Sequence, residues 1–136
     1  MTEPSLGEIA VDFILNLAAR GGPLDDQITE DFSWWMSSRP YMLDVEQARS
    51  HVRTVGLPPV RFEVLGVVDG EDRAAVEIQG YCQLPDGRQY NNNYCFIFIF
   101  EGRRIRQLRE HCDTQLAFEM TGPAGVPYKF EGAAAS

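Results

Sequence analysis

Glu110 combines a chemically useful side chain with an apolar setting. In an extended strand successive side chains point to opposite faces, so Glu110 shares a face with Leu108 and Cys112. Apolar surroundings disfavour the ionised carboxylate and raise the pKa of the group. A carboxyl group of this kind can act as a general acid or base. The pattern equally allows a structural carboxylate paired with Arg106 or Arg109.

Two neighbouring stretches could supply polar partners. The same alternation places Glu77, Gln79 and Tyr81 on one face of a strand, although Glu77 could also point outward at its wet end. Further along comes an Asn-Asn-Asn run, and Asn is depleted in strands. Either this run is a bulge or a frayed strand end, or Asn92 and Tyr94 are polar groups in a cavity lined with aromatic side chains.

The first half of the chain predicts three helices that would help to position these residues. Apolar residues recur at spacings of three and four over residues 6–17, and Ser5 with Glu8 reads as a capping box. Residues 24–29 predict a short second helix. Asp44 predicts the cap of a third helix, which ends near residue 55.

The second half predicts strands. Asp-Gly and Glu-Gly turns, which are typical of hairpins, separate four β-rich stretches. An earlier aromatic segment, residues 32–36, predicts a brief strand or a loop. Three N-terminal helices followed by an antiparallel meander make an α+β fold. The four predicted strands cover residues 60–68, 73–84, 89–100 and 104–118.

Both faces of the predicted sheet carry apolar residues. In the third long strand Phe96, Phe98 and Phe100 alternate with Ile97 and Ile99. Because neither row is polar along its length, both faces should be at least partly buried. We expect one face to pack on the helices and the other to meet a second copy of the protein, which gives a homodimer through the sheet.

The composition excludes several classes of protein. The 136 residues carry 12 Lys+Arg and 20 Asp+Glu, a formal net charge of −8, which disfavours binding to a nucleic acid backbone. An apolar run long enough for a membrane span and a basic signal region are both missing from the sequence. Three cysteines without metal-type spacing and two isolated histidines predict buried thiols, no metal and no cofactor. We expect a cytoplasmic protein with one domain over residues 1–121 and a tail over 122–136.

The second half also resembles a known family. Its segments LPDGRQYN at 84–91, EGRRI at 101–105 and LREHCDT at 108–114, with an aromatic strand between the first two, are similar to the SnoaL-like polyketide cyclases. They are similar to the limonene-1,2-epoxide hydrolases as well, and both groups belong to the NTF2-like superfamily. The resemblance implies a curved antiparallel sheet wrapped on three helices, which forms a cone with an apolar pocket.

The resemblance implies positions for site residues. In the epoxide hydrolases one strand presents an Arg-x-Asp pair and the last strand a further Asp, which correspond to Glu77, Gln79 and Glu110 here. In the same enzymes a Tyr and an Asn help to hold the reacting water, and their positions correspond to residues near Trp34 and Met36 here. Because an amide cannot be the acid that opens an epoxide, the resemblance favours simpler proton transfer with Glu110 as the base.

Two functional classes follow. The first is an enzyme that cyclises, isomerises, dehydrates or hydrolyses a small apolar molecule resembling a polyketide, terpenoid or steroid. The second is a non-catalytic NTF2-like module for ligand binding or assembly. For the enzyme, the predicted catalytic residues are Glu110 as the base and Gln79 as a hydrogen-bond donor. The predicted substrate contacts are Glu77, Tyr81, Asn92, Tyr94, Trp34, Met36, Phe13 and Leu108.

Overall fold

The structure is a computed structural model that describes residues 2–38, 42–54 and 60–121. Within these residues, helices and strands alternate at first and then give way to four consecutive strands. None of the described helices is long and apolar enough to cross a membrane. In chain order the elements are α1 (Leu6–Asn16), β1 (Ile28–Met36), β2 (Met42–Leu43), α2 (Val45–Thr54), β3 (Arg61–Asp69), β4 (Arg73–Tyr81), β5 (Asn93–Glu101), β6 (Arg104–Cys112) and α3 (Thr114–Thr121).

The six strands form one sheet in the order β2-β1-β6-β5-β4-β3. The predicted meander of four antiparallel strands is confirmed as β3 to β6. The sheet is nevertheless mixed, because β1 runs parallel to β6 along its other side. Between β1 and the meander the chain forms β2, which runs antiparallel to β1, and then α2. As a result β1 runs in the same direction as β6. The predicted α+β class is confirmed.

Side chains at the predicted caps start the first two helices. The backbone N–H of Glu8 donates to Ser5 Oγ at 3.1 Å, at the start of α1. At the start of α2, Gln47 N donates to Asp44 Oδ1, and Asp44 N donates to Gln47 Oε1, both at 2.9 Å. Each bond satisfies a backbone N–H that has no partner within its own helix.

Two predicted elements are wrong. Residues 24–29 do not form a helix, because Ile28 already begins β1 and is buried in the core. The last strand does not run to residue 118 but ends at Cys112. Asp113 then starts α3, since its Oδ1 accepts hydrogen bonds from the backbone N–H groups of Gln115 and Leu116. The third helix therefore follows the strands in the chain and does not precede them. The predicted tail, residues 122–136, lies outside the described residues.

Helices α1 and α2 cover one side of the sheet, which we call the inner face; the other side is the outer face. Helix α1 packs on β4 and β3, and α2 packs on β1 and β2. The ring of Phe13 meets the edge of Phe98 at 5.8 Å between centroids. The core between helices and sheet includes Ala10, Ile14, Leu17, Phe32, Trp34, Val76, Ile78, Phe96, Phe100, Ile105 and Leu108.

Gly7 lets α1 approach the sheet closely. A Cβ at this position would lie 2.6 Å from Val67 Cγ1 and 2.8 Å from a carboxylate oxygen of Asp69. The Gly7 N–H also donates to Asp69 Oδ1 at 2.6 Å. We expect Gly7→Ala to destabilise the fold by about 1–2 kcal/mol, because overpacking outweighs the better helix propensity of Ala. Urea unfolding measures the loss, and Gly66→Ala, where nothing lies within 4 Å, is the matched control. Equal effects at both positions would contradict the close approach.

Candidate functional site

Glu110 lies on the inner face, in the strand next to the middle of the sheet. Its direct neighbours across the strands are Met36 of β1 and Phe96 of β5. Alternation along β6 places Leu108 and Cys112 on the same face, as the sequence predicts. The carboxyl group therefore lies among apolar side chains on the face that the helices cover.

The inner face changes from closed to accessible at this point. Leu108 and Phe98 form one pair of facing residues, and both are fully buried. Glu110 is two residues further along β6 and is only partly buried, as are Cys112 and Tyr94 beyond it. Glu110 therefore lies at the boundary between the closed core and the partly exposed end of the inner face.

The surroundings of Glu110 set its proton affinity. Burial raises the pKa of the Glu110 carboxyl from 4.5 to about 7, and the nearby indole N–H of Trp34 acts in the opposite direction. Trp34 is only 5% exposed, and its Nε1 makes no hydrogen bond of good geometry among the described residues, although it lies near enough to the Glu110 carboxyl to lower the pKa of that group. A buried indole N–H that is only weakly bonded, beside a carboxyl group with a raised pKa, is typical of a functional site.

Cys112 lies next to this carboxyl group but is not suited to act as a nucleophile. Its backbone N–H donates to Ser37 Oγ at 3.1 Å, which joins the end of β6 to the end of β1. Burial first, and then the negative charge of Glu110, raises the pKa of the Cys112 thiol. Because the thiolate is the reactive form, this thiol stays protonated and inert.

Two tyrosines and one asparagine form a buried polar group beside Glu110. Asn92 is fully buried, and its Nδ2 donates to the hydroxyl of Tyr90 at 2.6 Å and to the carbonyl of Asp113 at 3.0 Å. Its Oδ1 accepts the Asp113 N–H at 3.0 Å. Burial raises the pKa of Tyr94, and the nearby Tyr90 and Glu110 raise it further. Both phenols are therefore neutral hydrogen-bond donors near the carboxyl group.

The structure separates three predicted site residues from Glu110. In the sheet Glu77 lies opposite Cys95, whereas Glu110 lies opposite Phe96, so the two carboxylates are on different faces. Gln79 shares the outer face with Glu77. Its amide donates to the carbonyl of Gly80 at 3.0 Å and accepts from Asn93. The prediction that Gln79 acts together with Glu110 is therefore wrong in its geometry.

Tyr81 also lies away from the inner face. Its ring stacks under the guanidinium of Arg61 at 4.1 Å. Both residues border a cavity of about 270 Å³ that is also lined by Cys82, Gln83, Gln89 and Asn91 and does not include Glu110. Tyr81 lies on the outer face for the same reason as Gln79, because every second residue of β4 faces the same side of the sheet.

The remaining predicted substrate contacts fall into two groups, residues of the closed core and residues beside Glu110. Phe13 and Leu108 are 1% and 0% exposed, so a ligand would have to displace core packing to touch them. Trp34 and Met36 are buried but flank Glu110, and Tyr94 lies beside it. Asn92 positions a neighbour rather than facing a ligand, since its own amide atoms are already bonded. Tyr90 was not predicted, although its even spacing from Asn92 and Tyr94 is a sequence signal for a shared face.

The cysteines differ in exposure. All three are free thiols. Cys82 is buried as predicted and Cys112 is partly buried, whereas Cys95 is exposed. The prediction of a buried thiol is wrong at Cys95 because its position in β5 places it on the outer face, which none of the described helices covers.

Known structures share this fold. A proposed polyketide cyclase from Acidithiobacillus ferrooxidans aligns with a TM-score of 0.70 at 16% identity, over 98% of this chain and 100% of that one. A proposed SnoaL-like polyketide cyclase from Jannaschia sp. CCS1 gives 0.66 at 17% identity, over 93% and 99%. An NTF2-like protein from Burkholderia xenovorans LB400 gives 0.67 at 16% identity, over 82% and 92%. At these identities the likeness bears on the fold alone, and it confirms the predicted NTF2-like architecture.

Sequence comparison identifies the family. None of the curated proteins matches the chain at a significant level. A family model described as the SnoaL-like domain matches residues 18–108, which include β1 to β5 and the first five residues of β6. Because this match covers well over half of the chain, the protein belongs to the SnoaL-like domain family.

Proposed function

We propose that this protein is an enzyme that moves a proton on a small, mostly apolar molecule, with Glu110 as the acid–base group. The observation that carries the proposal is the Glu110 carboxyl at the edge of the closed core on the inner face, with a pKa raised by burial to about 7. A general acid or base works best when its pKa lies near the pH at which it operates.

The inner face of β4 argues against chemistry that needs two carboxyl groups. The residues of β4 that face the helices are Ala74, Val76, Ile78 and Gly80. None of them can donate or accept a proton through its side chain. Epoxide opening requires an acid and a base on opposite sides of the ring. A single carboxyl group suits isomerisation or cyclisation better, because one base can take a proton from carbon and return it elsewhere.

The residues beside Glu110 supply hydrogen-bond donors and an apolar wall. The neutral hydroxyl of Tyr94 and the indole N–H of Trp34 could each stabilise negative charge that develops on a substrate oxygen. The rings of Tyr94 and Phe96 stack with centroids 5.3 Å apart at 12°, and Met36 lies on the other side of Glu110. This combination favours a ligand with an apolar skeleton and a carbonyl oxygen.

Hydrogen exchange into candidate substrates tests the proposal. A panel of enolisable polyketide-, terpenoid- and steroid-like ketones is incubated with the protein in D₂O, and deuterium at carbon is followed by NMR. We expect accelerated exchange for at least one ketone class, and a loss of roughly 100-fold or more in Glu110→Gln. Glu101→Gln, the same change at an exposed position far from the site, should leave the rate unchanged. Equal rates in the wild type and Glu110→Gln would refute the assigned role.

The apolar inner face of β4 also favours a second candidate, a module that holds an apolar ligand without converting it. Native mass spectrometry of protein purified from its own cells would then reveal a bound molecule that the protein releases unchanged. Under this alternative, no member of the ketone panel exchanges faster with the protein than without it.

We also propose that the protein forms a homodimer through the outer face and works in the cytoplasm. The outer face carries Ile97, Ile99 and Trp35, which no helix within residues 2–38, 42–54 and 60–121 covers, and partly exposed apolar side chains of this kind favour burial against another molecule. Three free cysteines are compatible with a reducing compartment.

A further inference from the structure

We infer that the cavity beside Tyr81 is a further binding site, which takes the carboxylate of a small organic acid through Arg61. The cavity has a volume of about 270 Å³, and Glu110 does not border it. Ligand pockets commonly measure about 300–1,000 Å³, so this one suits a small molecule. The inference goes beyond the acid–base function proposed for Glu110 and does not depend on it.

Strand pairing brings five polar side chains together at this cavity. Arg61 and Tyr81 lie directly opposite each other in β3 and β4, and directly opposed residues share a face. After β4 the chain turns back, and Gln83 lies opposite Gln89 in an isolated bridge. Alternation places Gln83 on the same side as Tyr81, and the side chains of Gln89 and Asn91 are bonded to each other.

Arg61 supplies the positive charge of the cavity. Its guanidinium lies 4.1 Å from the centroid of the Tyr81 ring, in a cation–π contact that engages the flat face of the group. The N–H groups at the edge of a guanidinium match the two oxygens of a carboxylate. Within residues 2–38, 42–54 and 60–121 Arg61 forms no ion pair, although the chain has 20 acidic and only 12 basic residues.

The side-chain amides of the cavity present N–H donors. Asn91 Oδ1 accepts from the backbone N–H of Cys82 at 3.3 Å, and Asn91 Nδ2 donates to Gln89 Oε1 at 3.0 Å. A side-chain amide has one oxygen and two N–H donors. With respect to the described part of the chain, the second N–H of Asn91 and both N–H groups of Gln89 remain for a ligand. These donors complement a negatively charged oxygen.

The charges around the cavity favour a singly charged anion. Among the described residues that line it none is acidic, and Asp86 in the adjoining turn is bonded to Arg88 at 2.7 Å. Burial raises the pKa of the Cys82 thiol, which therefore adds no negative charge. One guanidinium balances one carboxylate, whereas a phosphate dianion would add uncompensated charge to a protein whose net charge is already −8.

Titration of the 136-residue chain with benzoate, followed by NMR, tests the inference. Benzoate has one carboxylate and a ring that can contact Tyr81, and benzamide has nearly the same shape without the charge. We expect benzoate to shift the side-chain amide signals of Gln89 and Asn91 with a Kd of about 1 mM or below. Benzamide should bind roughly 10-fold more weakly or worse, because it lacks the charge-assisted hydrogen bonds.

Variants of Arg61 test the role of the guanidinium. Arg61→Gln should weaken benzoate binding roughly 10-fold or more, and Arg61→Lys should restore only part of the affinity because it lacks the planar edge. Arg73→Gln is the matched control, since Arg73 lies on the same face at the other end of β4 and is bonded to Asp72 at 2.9 Å. Its affinity should equal that of the wild type. The NMR spectrum shows whether each variant is folded, and the comparison with benzamide needs no variant.

Four results would overturn the inference. The first is an absence of any shift at benzoate concentrations far above the expected Kd. The second is equal binding of benzoate and benzamide, which would show that the cavity does not recognise a charge. The third is a shift of signals around Glu110 alone, which would place carboxylate binding on the inner face. The fourth is inorganic phosphate binding at Gln89 and Asn91 as tightly as benzoate, which would refute the selection of a carboxylate.

Light scattering on the same samples at micromolar concentration gives the oligomeric state. A monomeric mass would refute the homodimer proposed above without bearing on this site.

Discussion

Replacing Glu110 with Gln will make the fold more stable at pH 8, by up to about 3 kcal/mol, and will change little at pH 4. Burial raises the pKa of this carboxyl from 4.5 to about 7 in the folded protein. Below pH 4.5 the group is protonated in both states and costs nothing. Between pH 4.5 and 7 the unfolded chain ionises first, so stability falls as the pH rises, by about 1.4 kcal/mol for each pH unit.

Urea unfolding at pH 4, 6 and 8 measures this difference. The Gln side chain has the same shape but cannot ionise, so it removes the dependence on pH that Glu110 introduces. Glu101→Gln, at an exposed position, should follow the wild type at every pH. If Glu110→Gln also follows the wild type, the carboxyl group is not held in an apolar environment, and the proposed acid–base role loses its physical basis.

Replacing Asn92 with Ala will destabilise the protein by about 2–4 kcal/mol. The side chain is fully buried and makes three hydrogen bonds, two with the backbone of Asp113 and one with the hydroxyl of Tyr90. The substitution leaves the Asp113 N–H and the Tyr90 hydroxyl without this partner, whereas the Asp113 carbonyl still accepts from the Ala117 N–H at 3.1 Å. Each buried polar group that loses its partner costs about 1–3 kcal/mol, and the cavity adds to this loss.

Asn93→Ala is the matched control for this prediction. It removes the same type of side chain from the next position, where the residue is exposed and its amide donates to Gln79. We expect a loss of no more than about 0.5 kcal/mol there. Similar losses at both positions in urea unfolding would show that the bonds from Asn92 to Asp113 and Tyr90 contribute little.

Asn92 and Glu110 are both polar residues in largely apolar surroundings, but they differ in how well their side chains are hydrogen-bonded. Asn92 has all of its hydrogen bonds satisfied and therefore stabilises the end of β6 against the start of β5. Glu110 has a carboxyl group with little compensation from its neighbours, so it destabilises the fold at neutral pH. A protein retains such a cost more readily where the group has a function, and this supports Glu110 as the acid–base residue.

Much of the fold could be predicted because its signals are local. The capping residues Ser5 and Asp44 lie within four positions of the backbone groups that they bond, and the hairpin turns lie between the strands that they join. The second predicted helix failed because residues 24–29 carry weak helix signals, while Ile28 is needed in the core. The strand predicted to run to residue 118 failed because Asp113 caps a helix at that point.

The sequence by itself determined which residues of one strand share a face. It placed Glu110 with Leu108 and Cys112, and Glu77 with Gln79, and the structure confirms both sets. Only the tertiary structure decided which face of β4 goes with which face of β6. That choice depends on the registers of β4 with β5 and of β5 with β6, and the second of these shifts at an irregularity between Ile99 and Phe100. A shift of one residue exchanges the two faces of a strand, so alternation alone could not show that Glu110 faces the helices while Gln79 faces away from them.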